Sequence, residues 1–311
     1  MIMKSNAGAG ATYLPGMSFI QRLFGGGLPD GKLIGLVGPS GGGKTLLATQ
    51  IAEAEASLGK TVGYIGLEFQ NLYKKRFKRL VYGAGDSVVD PLVNQLRSAE
   101  WKVLCSRIQL LQKQVVRGWT TENVEAYIAQ NQDDLDLVVI DQLQQLLNGR
   151  DVSHKSIKAI CNKLQTVAAL YGIPILLLHQ ARSAMATGDA TVCPTAGDVM
   201  QSRDFVTKLV DECLMIGGDG GGDEKVCWIA NPKSNHRELA WLDGANGRFR
   251  SLGRPGEFFD VDMDLGKFVL SAEAESLGLR SAPDVAGYLQ AGFALGQEPA
   301  VQPELPDVEV V

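Results

Sequence analysis

The densest chemistry in the chain lies at Gly38-Pro39-Ser40-Gly41-Gly42-Gly43-Lys44-Thr45, which satisfies GxxxxGK[ST] in full. Glycines let backbone N–H groups converge on an anion. A helix that starts where such a loop ends adds the positive end of its dipole. The spacing predicts a phosphate cradle in which Lys44 meets the β- and γ-phosphates of ATP and Thr45 ligates Mg2+. Two acids are placed to work with it. Asp141 closes the apolar run LDLVVI and suits a water-mediated hold on Mg2+ from a strand tip. Its other reading is a helix N-cap before Gln142-Leu143. Glu68, in GLEFQ, ends another apolar run and suits a general base that activates water. Its other reading is an ordinary surface glutamate.

Such residues need elements to hold them. Lys32 to Val37 is apolar, bounded by Gly31 and Gly38, and predicts a buried strand. Thr45 to Leu58 predicts a helix stopped at Gly59, and Thr61 to Leu67 a second strand. Residues 70–130 read as mainly helical, with a break near Gly83-Ala84-Gly85. Leu135 to Ile140 is the third strand. In Ser153 to Tyr171, Ile157, Ile160, Cys161, Leu164, Val167 and Ala168 share one helical face, and Gly172 ends the helix. Ile173 to Leu178 is the fourth strand. Shorter strands are expected at 212–216, 226–231, 239–243 and 247–251. Fully apolar strands alternating with helices predict an α/β fold. Its sheet is mainly parallel and covered on both faces, with an antiparallel hairpin region towards the C-terminus.

Composition limits the function classes. With 311 residues, 45% of them hydrophobic and 21% charged, the chain suits a globular enzyme with a sizeable core. Thirty basic residues stand against 35 acidic, a net charge of −5, with a pI near 5.4. That excludes coating nucleic acid by bulk charge and leaves room for a local basic channel. The five cysteines include no CxxC pair, so neither a zinc site nor a disulfide framework is expected, and a reducing cytoplasm fits. No apolar run has the length of a membrane span, and MIMKSNAGAGATY lacks the apolar stretch of a signal peptide.

In this order the motifs resemble RecA-type motors, and in particular the C-terminal ATPase domain of DnaB-type replicative helicases. GLEFQ at 66–70 resembles the family's SLEM segment, whose Glu is the catalytic base. VVIDQLQQLL at 138–147 resembles VIDYLQLL. IKAICNKLQTVAALYGIPILLLHQARS at 157–183 resembles the helix and strand that end in SQLNR, which puts the γ-phosphate-sensing Gln at Gln180. GDVMQSRDFVTKLVDECLMI at 197–216 resembles DLRESGAIEQDADVVMFL. The resemblance covers roughly residues 20–252. It implies a RecA-like P-loop NTPase core that hydrolyses ATP with Mg2+, assembles as a hexameric ring or a filament, and moves on single-stranded DNA. The family's KxRxG finger, which completes a neighbour's site, appears as Lys233-Ser-Asn-His-Arg237 with altered spacing, making Lys233 and Arg237 the candidates. The segment ends one expected strand and precedes another at 239–243, so both are expected on a hairpin tip that reaches outward; none of Lys44, Thr45, Glu68, Asp141 and Gln180 is an arginine, and the resemblance implies that this cation comes from the adjacent protomer. His179 replaces the usual Ser or Thr. The family's N-terminal domain and linker helix have no counterpart in residues 1–19, so ring assembly is expected to use another contact, such as the N-terminal arm.

The implied organisation is a flexible arm at 1–16, a RecA-like ATPase domain at 17–252, a C-terminal extension at 253–289 and a disordered acidic tail at 290–311. The tail reads as solubilising, as a docking peptide for replication partners, or as a DNA mimic that competes for the basic channel. The small-residue stretches at 181–197 and 217–223 resemble loops that face the central channel. Arg182 and Arg203 are the DNA-binding candidates, while Asp219, Asp223 and Glu224 argue against phosphate contact by the second stretch. The basic run Tyr73 to Arg79 reads as a solvated helix face or as a DNA or partner contact. The leading expectation is a phage or plasmid replication helicase in a bacterial cytoplasm. The alternatives are a core-only recombination protein that anneals or exchanges strands, and a KaiC-like accessory ATPase.

Overall fold

The computed structural model describes residues 20, 23–24, 26–66, 72–82, 91–112, 119–147, 153–180, 204–218, 224–233, 236–243, 248–253, 259–262 and 267–270. The chain runs β1 (Leu33–Gly38), α1 (Lys44–Ser57), β2 (Thr61–Gly66), α2 (Leu72–Tyr82), α3 (Pro91–Arg107), β3 (Ile108–Gln112) and α4 (Thr121–Asn131). It continues with β4 (Leu135–Asp141), the single turn α5 (Leu143–Leu146), α6 (His154–Tyr171), β5 (Ile175–Gln180) and a π-helical turn at Phe205–Leu209. The strands β6 (Glu212–Gly218), β7 (Glu224–Asn231), β8 (His236–Asp243), β9 (Arg248–Gly253), β10 (Phe259–Asp262) and β11 (Lys267–Leu270) complete it.

Nine strands form one sheet in the order β3-β2-β4-β5-β1-β6-β7-β8-β9. The pairs from β3 through to β6 are parallel. The pairs from β6 to β9 are antiparallel. The expected parallel sheet with an antiparallel region is therefore what forms. β10 and β11 pair separately, within the stretch read as an extension.

The parallel strands are apolar on both faces because both faces are covered. Leu33 and Val37 of β1, with Ile175 and Leu177 of β5, belong to a core closed by Val124 and Ile128 of α4 and by the predicted face of α6. Ile34 and Leu36, with Leu176 and Leu178, belong to the opposite core, against Leu47, Ala48 and Ile51 of α1 and against Ile20 and Leu23. The ends of α6 follow local signals. Ser153 Oγ accepts from Ser156 N, and Gly172 takes the left-handed conformation at φ 68°.

One element departs from expectation. The stretch 70–130 is not mainly helical throughout, because it contains β3, parallel to β2 at the sheet edge. IQLLQ does carry the period of a strand: Ile108 and Leu110 pack towards one core and Leu111 towards the other. Five residues following Arg107 of α3 without a turn are too short for that period to stand out.

Register aligns the tips that matter. Gly38 pairs with Gln180, and Gly66 pairs with Asp141. Strand order reverses at β1, whose neighbours are β5 and β6, and such a switch point opens a crevice at the carboxyl ends of the strands.

Candidate active site

The loop from Gly38 to Lys44 spans β1 and α1 at that crevice. Gly41 (φ 71°) and Gly43 (φ 93°) adopt a backbone conformation closed to most side chains. A Cβ on Gly42 would stand 2.8 Å from the Pro39 ring. Gly42 N donates to Pro39 O at 3.0 Å, which closes the turn. The same carbonyl accepts from Lys44 Nζ at 2.8 Å, so the buried Lys44 ammonium lies folded against its own loop. Thr45, half-buried, is the second residue of α1.

Asp141 sits at the tip of β4 and is 1% exposed. Tyr64 Oη of β2 donates to Asp141 Oδ2 at 3.5 Å, and Tyr73 Oη of α2 donates to Asp141 O at 3.4 Å. Burial, and then the neighbouring Asp141 carboxylate, push the Tyr64 phenol well above its ordinary value. It therefore stays a donor at neutral pH. Tyr73 reaches this corner because Gly66 has no side chain: its ring lies where a Cβ on Gly66 would stand. The Asp141–Gln142 peptide is cis, and Gln142 begins the turn into α5.

The crevice holds a cleft of about 260 Å3, lined by Ser40, Gly41, Gly43, Lys44, Thr45, Leu46, Asp141, Gln142, Gln180 and Arg76. Loop, strand-tip acid and Gln180 thus meet around one space. Beside Gln180, His179 is fully buried. Its Nδ1 lies 3.0 Å from Gln144 Nε2, and its ring centroid lies 4.5 Å from that of Phe205.

Arg76, Leu46 and Gln142 are lining residues that the sequence reading missed, and Arg76 is the charged one. The run Tyr73 to Arg79 is not simply a solvated face, nor is the cleft without an arginine of its own chain. Tyr73 and Phe77 are buried, Lys74, Lys75 and Lys78 are exposed, and half-buried Arg76 enters the cleft. The signal was the spacing: aromatics four apart anchor a helix and fix where the residues between them face.

Lys233 lies in the turn after β7, exposed, and its Nζ donates to Val210 O at 2.5 Å. Arg237 is not at the hairpin tip. It is the second residue of β8, paired with Ala230, because β8 begins at His236, ahead of the strand expected at 239. Glu68 lies outside the described residues, two positions beyond the end of β2. Arg182 and Arg203, the arm and the acidic tail are also outside them.

The residues present fit a triphosphate with a divalent cation. Gly41 and Gly43, both at positive φ, line the cleft with backbone alone, and the helix start behind them favours an anion. A buried carboxylate at Asp141 and a hydroxyl at Thr45 are hard oxygen donors of the kind Mg2+ takes. Bound there, the metal would neutralise phosphate charge.

Comparison with known proteins agrees with this geometry. A family model described as an AAA domain matches residues 19–186, more than half of the chain. No curated protein sequence matches it. Among solved structures, one described as an ATPase domain shares 17% identity at a TM-score of 0.62, over 80% of this chain and 94% of that one. A DnaB-like replicative helicase, solved in a study of its interactions with primase, also has a TM-score of 0.62 at 17% identity. The match takes in 79% of this chain and 64% of the helicase's, so the chain spans less than two thirds of that protein. A KaiC-like protein of Pyrococcus horikoshii scores 0.54 at 15% identity, over 78% of this chain and 99% of its own. At these identities the likeness shows the fold. With a complete phosphate-binding loop, a buried acid at the adjacent strand tip and this sheet order, the chain belongs to the AAA-domain family as a P-loop ATPase of RecA-type fold resembling the DnaB motor.

Proposed function

We propose that the protein is an ATP-driven, ring-forming helicase or translocase that acts on single-stranded DNA in replication, in the cytoplasm of a bacterial host. The observation that carries the reading is the closeness of the fold match, a TM-score of 0.62 to the ATPase domain and the DnaB-like helicase. The ATPase domain and the DnaB-like helicase are matched more closely than the KaiC-like protein or the RadB recombinase, which scores 0.50 over 74% of this chain. The sequence segments at 66–70, 138–147 and 157–183 support the same choice.

In this reading the loop binds the β- and γ-phosphates of ATP, and Lys44 turns from the Pro39 carbonyl to the nucleotide. Thr45, and Asp141 through water, would hold Mg2+, which would neutralise phosphate charge. Glu68 takes the proton of the attacking water as its oxygen bonds to the γ-phosphorus, while the bond to the β–γ bridging oxygen breaks and ADP leaves with that oxygen. Gln180 senses the γ-phosphate from the tip of β5. Lys233 and Arg237 act on the site of the adjacent protomer, Arg182 and Arg203 contact DNA, and the tail at 290–311 docks replication partners.

Steady-state ATP hydrolysis with and without single-stranded DNA, followed by strand separation of a forked duplex, tests this reading. Hydrolysis should rise several-fold with DNA, and the fork should open only with ATP. Annealing of complementary strands without fork opening would favour a recombination protein. Hydrolysis indifferent to DNA would favour a KaiC-like ATPase.

A further inference from the structure

A second hollow, of about 150 Å3, lies between α2, α3 and β3. Its walls are apolar: Phe77 of α2, Trp101 and Leu104 of α3, and Ile108 and Leu110 of β3. Trp101, Ile108 and Leu110 are only half-buried, so this apolar floor meets water. Lys74 stands at its rim, exposed, with no ion-pair partner among the described residues. β3 is the edge of the sheet. Among the described strands it pairs with β2 alone, so its outer edge offers main-chain donors and acceptors to an extended segment.

Charge narrows what fits such a groove. α2 and α3 carry eight Lys or Arg and one acid, Glu100, in a chain whose net charge is −5. An apolar hollow with a basic rim suits an extended segment of apolar side chains interleaved with carboxylates. The chain ends in one: Glu304-Leu-Pro-Asp-Val-Glu-Val-Val311. After Arg280 there are five acids and no Lys or Arg, and three of those acids fall in this segment, among Leu305, Val308, Val310 and Val311. Extended, Val308 and Val310 would share one side and Glu309 the other. Thirty-three residues lie between Leu270, the end of β11, and Glu304. That length spans up to about 110 Å, against about 38 Å across nine strands. The tether therefore reaches the groove of its own chain, and its high effective concentration there favours that groove over a second copy's.

We propose that the acidic C-terminal segment 304–311 docks in the groove between α2, α3 and β3 of its own chain, with Val308 and Val310 in the hollow and the carboxylates facing the basic rim. The inference goes beyond the ATPase reading and does not depend on it. A replication partner that captures the tail has to draw it off this groove.

Disulfide trapping in the full-length protein tests it. Cys105 is exposed and lines the groove. A second thiol brought there by the tail can join it, the two giving up two electrons and two protons to an added oxidant. Val310→Cys, oxidised briefly with copper phenanthroline in air and mapped by mass spectrometry, should link to Cys105 within one chain. Val301→Cys, further from the C-terminus, reports random encounter, and its yield should be lower by about fivefold or more. Adding Lys74→Glu to Val310→Cys, or raising the salt from about 0.05 M to about 0.5 M, should each cut the yield about threefold. A thermal melt checks that the Lys74→Glu chain is folded, and the salt series needs no variant of the rim. Equal yields from the two positions, a bond formed only between two chains, or a bond mainly to another cysteine would overturn the proposal. So would a yield that neither salt nor Lys74→Glu changes.

Discussion

Lys44→Ala leaves a folded protein that no longer holds ATP. The side chain is buried, and its ammonium donates to Pro39 O of its own loop. Removing it takes that charged hydrogen bond from the free protein, about 1.5–3 kcal/mol at most. The loss on the nucleotide side is larger. An ammonium that bridges two phosphates makes two charge-assisted contacts, together about 3 kcal/mol or more, which is at least a hundredfold in affinity. Calorimetric titration with a non-hydrolysable ATP analogue and Mg2+ measures it, and a thermal melt checks the fold. Affinity within a few-fold of wild type would mean that the loop does not bind phosphate through this residue.

Glu68→Gln separates binding from turnover. The amide keeps the size of the side chain and loses the ability to take a proton from water. General-base catalysis contributes about 10²- to 10⁴-fold. Single-turnover hydrolysis should slow by that factor while affinity for the ATP analogue stays near that of wild type. A rate within a few-fold of wild type would remove Glu68 from the chemistry and leave Asp141 as the strand-tip acid that lines the cleft.

The parts of the fold that were readable in the sequence have a common physical basis. β1, β4 and β5 are covered on both sides, so their apolar runs are continuous and bounded by glycine or polar residues. The helix α6 buries a single stripe and stops at a glycine with positive φ. The loop was legible because phosphate binding constrains consecutive backbone positions, and consecutive positions leave a motif. Arg76 was harder to read, because the Tyr73 and Phe77 spacing marks an anchored helix face, while which cleft that face borders depends on their packing over Gly66 and Tyr64 of the neighbouring strand. The edge strand β3 was hidden for a related reason. Pairing on one side only, with partly buried residues, leaves a weak alternation that five residues cannot display. Arg237 shows the limit of transferred spacing: the strand begins one residue before it, so the motif's altered spacing corresponds to a different place on the hairpin.

Electron microscopy of the full-length protein with Mg2+, a non-hydrolysable ATP analogue and single-stranded DNA tests the central claim most directly. Closed six-membered rings around the DNA are predicted, with nucleotide density between Lys44, Arg76, Asp141 and Gln180 of each subunit and Lys233 and Arg237 of the next subunit facing it. Helical filaments, or particles that bind DNA with no nucleotide in that cleft, would contradict it.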